Sequence, residues 1–187
     1  MKKILFFTLI GFILNGHNAH AQNYTLAVNK LDEFTKEVIR IAPYQAVAAR
    51  GLLTTTYINL NISRNGNKYF VGFDSQFYSA SKSLEDNVIK KGAKIYFKLQ
   101  NDTIVKAAYD FEDVQPIVTF DNRFSSWRYN INFTFSILET ELDKLSKSPM
   151  VLIRLENGQE TGDFEVREKF RGTSPQLYFM NFIPLLK

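Results

Sequence analysis

The sequence predicts a mainly β protein: a single antiparallel domain of about ten strands, sandwich-like or a partly closed barrel, with two or three short helices. Three observations predict this class. Apolar residues recur at every second position from residue 52 onward, Asn-Gly pairs stand between the alternating segments, and only short stretches have helical spacing. Hairpins closed by short loops pair antiparallel, which disfavours a parallel α/β fold. An α+β fold is the alternative.

The first 21 residues are typical of an export signal. Lys2 and Lys3 supply the positive start, an apolar stretch follows over Ile4–Leu14, and Ala19-His20-Ala21 is a small-x-small cleavage site. The apolar stretch has about half of the roughly 20 residues that a membrane-spanning helix requires. We therefore expect cleavage after Ala21, export to the periplasm or cell surface of a Gram-negative bacterium, and no transmembrane helix after signal removal. An uncleaved anchor is the alternative.

The segment 27–50 has no single clear pattern. Apolar residues between Leu31 and Ile41 have the spacing of an amphipathic helix, whereas the β-branched residues and Pro43 favour extended structure. Lys36–Ile41 is a candidate strand, and Ala46–Arg50 is equally ambiguous. The sequence leaves open whether this segment is helix or strand.

Three segments are the clearest strands because apolar and polar residues alternate along them, so that each has one buried and one wet face. They are Tyr57–Ile62, Ala93–Gln100 and Asn130–Ile137. Asn65-Gly66 and Asn157-Gly158 are typical of type I′ hairpin turns, and Asn101-Asp102 predicts a third turn. Further candidate strands are Lys68–Asp74, Thr103–Phe111, Val114–Phe120, Met150–Glu156, Asp163–Glu168 and Gln176–Ile183.

Two stretches have helical spacing, Ser81–Lys91 and Glu139–Lys147, and Pro149 ends the second. A weak internal repeat with an offset of 56 residues relates segments 67–111 and 125–168. Similar patterning of two hairpin units is the alternative explanation. No linker rich in Pro, Gly or Ser divides residues 22–187, so we expect one β-rich domain there.

Composition excludes several kinds of chemistry for the mature chain. The sequence has no Cys, and its two His residues, His17 and His20, lie within the expected signal. Imidazole and thiolate catalysis, haem ligation, disulfides and the usual zinc sites are then excluded, and we expect no cofactor and no metal. Removing Lys2 and Lys3 lowers the formal net charge from +4 to +2. The remaining basic residues are scattered, so nucleic acid is not an expected partner.

Carboxylates are the first candidates for any remaining catalysis, because glycoside hydrolysis needs two of them about 5 to 10 Å apart. Acidic residues beside turns or in the first turn of a helix are usually solvated, and we assign no catalytic residue and expect no enzyme. The acidic groups are Asp110 with Glu112 and Asp113, Asp32 with Glu33, and Glu139 with Glu141 and Asp143.

The segment Asp121–Tyr129 is the first candidate binding surface. It places the only tryptophan, Trp127, among Arg123, Arg128 and Tyr129. Aromatic rings and guanidinium groups are enriched where proteins bind partners. The alternative is that Trp127 caps the end of the core.

The wet face of one predicted strand is the second candidate. Lys94, Tyr96 and Lys98 alternate with apolar residues and are expected to pair across a hairpin with Lys106 and Ala108. Such a ridge suits an acidic ligand, although lysines on an exposed strand also prevent edge pairing.

These observations predict an exported, non-enzymatic binding or interaction protein of the bacterial periplasm or cell surface, whose partner is a protein, a peptide or a glycan. One alternative is a small outer-membrane β-barrel, because the chain is long enough for eight strands. The other is a carboxylate-dependent hydrolase. The sequence does not specify the ligand or the oligomeric state.

Overall fold

The computed structural model describes residues 24–50, 56–82, 88–170 and 172–187, which form eleven strands and two α-helices. The predicted mainly β, antiparallel class is confirmed. The helices are α1 (Glu139–Leu145) and α2 (Tyr178–Leu186), and a 3₁₀ turn over Pro175–Leu177 precedes α2. The strands are β1 (Val28–Leu31), β2 (Val38–Ile41), β3 (Gln45–Arg50), β4 (Thr56–Asn65), β5 (Lys68–Ser79), β6 (Lys94–Leu99), β7 (Ile104–Ala108), β8 (Ile117–Asp121), β9 (Ser126–Ile137), β10 (Met150–Asn157) and β11 (Glu160–Glu165).

All eleven strands belong to one sheet, which is not closed. The strand order is β1-β2-β4-β5-β9-β7-β6-β10-β11, while β3 pairs with β4 and β8 pairs with β9. The sheet is weakly paired between β7 and β9, because these two strands pair only between Ala108 and Ser136. We call this junction the seam. The two ends of the sheet approach each other, since the amide of Arg167 donates to the carbonyl of Val47 at 3.1 Å. The sheet therefore curls around one core.

The core is built from the apolar residues that alternate along the strands. The three clearest predicted strands are confirmed as parts of β4, β6 and β9, and their apolar positions are buried. Helix α2 covers one end of the core: the Phe179 ring lies 5.1 Å from the Phe97 ring, and the Tyr178 hydroxyl donates to the Pro43 carbonyl at 2.9 Å.

The strand predicted over Gln176–Ile183 is wrong, because this segment forms the 3₁₀ turn and most of α2. The aromatic and β-branched content favours a strand, but the spacing of the apolar residues is helical. The buried residues of the helix are Tyr178, Phe179, Phe182, Ile183 and Leu186, which recur at intervals of three to four residues along one side. Burial of that side against the core outweighs the β propensity of the individual residues.

The ambiguous segment before residue 50 is extended. β1 and β2 form a hairpin, and Ala46–Arg50 lies within β3. The hairpin turn is held by Asp32, whose Oδ1 accepts the amides of Phe34 at 2.9 Å and Thr35 at 2.8 Å. Phe34 is 95% exposed, so it does not belong to the buried face of a helix.

The helix predicted over Glu139–Lys147 is confirmed as α1. Most of the other predicted helix, Ser81–Lys91, lies at residues 83–87, outside the described residues. Its described ends are not helical, since Ile89 forms a bridge with Val114. No helix in the described ranges has the length and apolar composition needed to cross a membrane.

The two Asn-Gly hairpin turns are shifted by one residue from the prediction. Asn65 pairs with Lys68 and Asn157 with Glu160, so the loops begin at glycine. The predicted turn type, I′, is wrong, because it requires a positive φ at both residues of each two-residue loop. In each loop only the glycine has a positive φ, which is 58° for Gly66 and 66° for Gly158. The third predicted turn is confirmed, with Asp102 at a φ of 62°.

The residue pairs of the sheet bear on the proposed repeat. The hairpins β6–β7 and β10–β11 follow the same offset, and Ser75 with Ile131 and Phe97 with Ile153 pair across neighbouring strands, again 56 residues apart. Two copies related by a local twofold axis place equivalent residues opposite each other. Duplication itself stays a prediction.

Candidate functional site

The outer surface of β4, β5 and β9 carries amide and hydroxyl groups in cross-strand rows. One row joins Asn59, Asp74 and Asn132, because Asp74 is the pairing partner of both asparagines. The rows form because successive residues of a strand face opposite sides, so the polar positions of three paired strands share one side. We call this surface the polar face; it comprises Tyr44, Asn59, Asn61, Gly72, Asp74, Gln76, Asn130, Asn132 and Thr134.

Gly72 lies at the centre of the polar face and gives two side chains room to approach the backbone. A Cβ atom on Gly72 would lie 2.0 Å from Asn61 Oδ1 and 2.9 Å from the Tyr44 hydroxyl. Glycine inside a strand often marks such a close approach. The Asn61 side chain is consequently held against the sheet, with only 8% of the residue exposed.

Hydrogen bonds hold the neighbouring side chains. Asn59 Nδ2 donates to Asp74 Oδ2 at 2.7 Å, and Asn132 Nδ2 donates to the Tyr44 hydroxyl at 3.5 Å. Within the described residues, Asp74 Oδ1 accepts no hydrogen bond and remains available to a ligand. Partial burial raises the pKa of the Tyr44 phenol, and the negative charge of Asp74 raises it further. The hydrogen bond from Asn132 lowers the pKa but does not cancel these two effects. The Tyr44 phenol is therefore neutral at physiological pH and can both donate and accept.

The predicted surface around Trp127 is divided by the alternation of β9. Tyr129 is completely buried, its ring is stacked 4.8 Å from Phe77, and its hydroxyl donates to the Ser81 carbonyl at 3.0 Å. Trp127 is partly buried and lies under the Lys82 ammonium, 5.1 Å from the ring centre. Tyr129 thus belongs to the core, whereas Trp127 stays accessible at its edge.

The two arginines of this predicted surface, Arg123 and Arg128, do not lie beside Trp127 on its side of the sheet. Arg123 is in the turn before β9 and forms a two-point ion pair with Asp121, at 3.2 and 3.1 Å. This pairing, together with the Arg123 amide, lowers the pKa of Asp121. Arg128 projects to the same side as the polar face, opposite Tyr78 of β5. Arg128 therefore extends the polar face, while Trp127 faces away from it.

The predicted ridge Lys94, Tyr96 and Lys98 lies on the outer side of β6. The expected pairing with β7 is confirmed, since Lys94 pairs with Ala108 and Tyr96 with Lys106. Carboxylates face the ridge. Glu156 accepts hydrogen bonds from the Lys94 ammonium and the Tyr96 hydroxyl, both at 3.0 Å.

The remaining lysine of the ridge, Lys98, is 3.0 Å from Asp102. Both lysines of the ridge therefore have an acidic partner within the fold. This leaves less positive charge for an acidic ligand than the spacing of the lysines alone indicates.

The seam between β7 and β9 forms a groove of about 660 Å³ that brings acidic groups together. Asp110, Glu139 and Glu141 line it, and they come from two of the acidic groups in the sequence. Glu141 is engaged, because it pairs with Lys144 and accepts the Lys106 amide at 3.4 Å. Among the described residues, no cluster of acidic, His or Cys side chains is suited to hold a metal ion.

Sequence reasoning did not single out the polar face, although its signal was present. Asn59, Asn61, Asn130 and Asn132 are the wet positions of two clearly alternating strands. The missing information was the register, which places these positions side by side. The contribution of Tyr44 had no signal in the sequence, because it reaches the face from the loop before β3.

Comparisons with protein families, with curated proteins and with solved structures gave no significant match to this chain.

Proposed function

We propose that the protein is an exported, non-enzymatic binding protein of the bacterial envelope, and that its polar face binds a neutral glycan. The observation that carries this proposal is the packing of Tyr44 and Asn61 over Gly72, because it holds polar groups in place before a ligand arrives. Side chains ordered in advance lose less conformational entropy on binding. The ordered amide and phenol groups of the polar face are therefore better suited to bind a ligand than the mobile side chains of an ordinary solvated strand.

The chemistry of the polar face favours a sugar. Each asparagine or glutamine offers a donor and an acceptor in one plane, which matches adjacent hydroxyl groups of a sugar ring. The Tyr44 ring, which is 48% exposed, offers an apolar surface beside them. Asp74 is the only charged residue among the nine that define the polar face, and Arg128 adds one positive charge beyond its end, so the surface has no excess of positive charge. Recognition of an anion would instead call for arginine or lysine side chains.

The dimensions of the polar face suit an extended chain of sugars. Tyr78, which pairs with Arg128, is four positions along β5 from Asp74, so the two rows lie about 13 Å apart at roughly 3.3 Å per residue. A ligand along β5 would thus meet Gln76 and Asn130 between these two rows. Arg128, predicted from the sequence as a binding residue, would contact its far end.

The proposal is tested by binding of the processed chain to an array of neutral and acidic oligosaccharides, followed by calorimetry on the best ligand. We expect a neutral glycan to bind, and Asn132→Ala and Tyr44→Ala each to weaken its affinity at least tenfold. Gly72→Ala should have a similar effect, because the added methyl group displaces both Asn61 and Tyr44. Mass spectrometry of the glycan after long incubation should recover it unchanged.

Asn29→Ala is the matched control. This asparagine is exposed on β1, two strands away from β4, and its loss should leave the affinity unchanged. Selective binding of anionic glycans, or equal affinity of the Asn132 and Asn29 variants, would refute the proposed site. N-terminal sequencing of the periplasmic product in a bacterial host tests export, for which Gln22 is the expected first residue.

A carboxylate-dependent hydrolase is a second candidate, and one observation favours it. The groove at the seam is lined by Asp110 and Glu139, which are not adjacent in sequence. If the groove is catalytic, Asp110→Asn and Glu139→Gln should each abolish hydrolysis of a glycan substrate while Asn132→Ala leaves the turnover rate unchanged. Complete absence of glycan cleavage by the unaltered protein would dismiss this candidate.

A further inference from the structure

The curled sheet forms a cavity of about 300 Å³, partly open to solvent, at the end of the core away from α2. Strand β4 runs between the two ends of the core. At one end of the strand, Arg64 donates a hydrogen bond to the carbonyl of Leu186 at the end of α2. At the other end, Thr56 lines the cavity. This volume is at the lower end of the range for small-molecule sites. The cavity is on the inner side of the sheet and is separate from the polar face.

The wall of the cavity is mostly apolar. Ile58, Phe73 and Ile131 contribute from the central strands, and Leu155 and Phe164 contribute from β10 and β11. Leu155 and Phe164 are only partly buried although they pack against the core. Apolar side chains with unfilled space between them lose dispersion contacts, which an apolar ligand restores.

Hydroxyl groups of Thr56, Ser75 and Thr161 also line the cavity, and Ser75 is the most buried of the three residues. Ser75 occupies an inward position of β5 between Phe73 and Phe77, where alternation calls for another core residue, and it is 6% exposed. It lines the cavity, and within the described part of the chain its side chain forms no hydrogen bond. The Ser75 hydroxyl borders the open space of the cavity, so it can form a hydrogen bond with a polar group of a bound molecule.

The charges around the cavity define the class of ligand further. Glu160 is the only ionisable residue among the described residues that line it, and it is exposed in β11 at the hairpin turn. Among the described lining residues there is no lysine or arginine to neutralise a carboxylate or a phosphate. Burial of an unpaired charge would be strongly unfavourable. The described lining therefore favours an uncharged ligand over an anionic one.

We propose that this cavity binds an uncharged amphipathic small molecule, whose apolar body fills the space between Phe73, Ile131 and Leu155. Its single hydroxyl, carbonyl or amide group forms a hydrogen bond with the Ser75 hydroxyl. The site acts independently of the polar face, so a ligand here and a glycan outside can bind together.

The test uses the processed full-length chain and the uncharged fluorescent probe N-phenyl-1-naphthylamine. We expect saturable enhancement of its fluorescence at one probe per chain. Octan-1-ol should displace the probe at a concentration at least tenfold lower than octanoate, which has the same chain length but a charged head. Absence of saturable binding, or equal displacement by the two competitors, overturns the proposal.

Two variants locate the site. Leu155→Trp and Ile131→Trp fill the cavity, and each should reduce probe affinity at least tenfold in samples whose circular dichroism is that of the unaltered protein. Because Leu155 is only partly buried, that variant remains informative if Ile131→Trp fails to fold. Probe binding that is unchanged in a folded cavity variant refutes the site.

Ser75→Val tests the hydrogen bond. It should retain the apolar probe and weaken displacement by octan-1-ol two- to tenfold, which corresponds to the loss of one hydrogen bond. Ser63→Val is the matched control on the outer side of β4, opposite Phe70, and should change neither affinity. If Ser75→Val and Ser63→Val behave alike, Ser75 does not contact the ligand. Glycan binding measured on Leu155→Trp separates this result from that of the polar face.

Discussion

Gly72 shows how one small residue determines the geometry of a surface. Its missing side chain lets Asn61 and Tyr44 lie over the central strand of the sheet, and Asn132 then reaches the Tyr44 hydroxyl. A larger residue would turn this compact group into separate, mobile side chains. The alternation of β4 and β9 predicts that the asparagines are on a wet face, but not that they converge on a glycine.

The ion pairs of β6 have an energetic consequence at the residue scale. Hydrogen bonds from Lys94 and Tyr96 lower the pKa of Glu156 below its ordinary value of 4.5. A carboxyl with a lower pKa in the folded state stabilises the fold above its unfolded pKa, and this contribution disappears as the pH falls through the folded value.

We therefore expect Glu156→Gln to lower the midpoint of urea unfolding slightly at pH 7, and the difference to shrink from about pH 4.5 downward. Glu112→Gln is the control, because the Glu112 side chain is 94% exposed and only loosely paired with Lys91, at 3.8 Å. Its midpoint should follow that of the unaltered protein at every pH. A Glu156 difference that is equally large at pH 3 and pH 7 would contradict the assigned cause.

At the scale of elements, α2 is the clearest case in which tertiary packing outweighs residue preference. Its segment is rich in aromatic residues and contains Pro184, both of which argue against a helix. Five of its side chains nevertheless have helical spacing, and the end of the core supplies the apolar surface that they cover. The sequence pattern contained this information, but the choice between strand and helix depended on what the segment packs against.

Truncation of this helix contact should be expensive. Phe179 is 1% exposed and lies edge-on to Phe97, so Phe179→Ala leaves a cavity in the core. We expect the free energy of unfolding to fall by about 3–5 kcal/mol, measured by guanidinium denaturation. Leu185→Ala, at a position 36% exposed in the same helix, should cost under about 1 kcal/mol. Similar losses for both variants would mean that α2 is not anchored through Phe179.

At the scale of the whole molecule, the sheet is unevenly connected. The pairing of β5 with β9 runs from Tyr69 to Ser79, whereas β7 joins β9 at a single residue pair. Four strands lie beyond this seam, namely β7, β6, β10 and β11. They are held to the others by shared core side chains more than by backbone hydrogen bonds. Local opening is easiest where few contacts cross.

Hydrogen–deuterium exchange followed by mass spectrometry should reveal this difference. Peptides covering the middle of β5 are expected to exchange at least tenfold more slowly than peptides covering β7. Peptides covering β8, which pairs with one strand only, provide the reference for rapid exchange. Equal protection of β5 and β7 would show that the seam is no weak point.

Much of this architecture is encoded locally. Alternation of apolar and polar residues is enough to predict the class, most strands and the inner or outer position of each side chain, because strand geometry imposes a period of two on any sequence. The approximate places of the turns and the pairing of Lys94 with Ala108 follow from neighbouring residues in the same way, whereas the register and type of the Asn-Gly turns do not. The expected export signal and the lack of histidine and cysteine after it are also properties of composition and order along the chain.

The places where distant segments meet are not encoded in this local way. Tyr44 over Gly72, Ser75 facing a cavity, Asp110 beside Glu139, and the helical state of α2 each depend on register and curvature, which many contacts across the whole chain set together. A period of two assigns a residue to a face but does not assign its neighbours on that face. Both proposed binding sites arise from such meetings between strands.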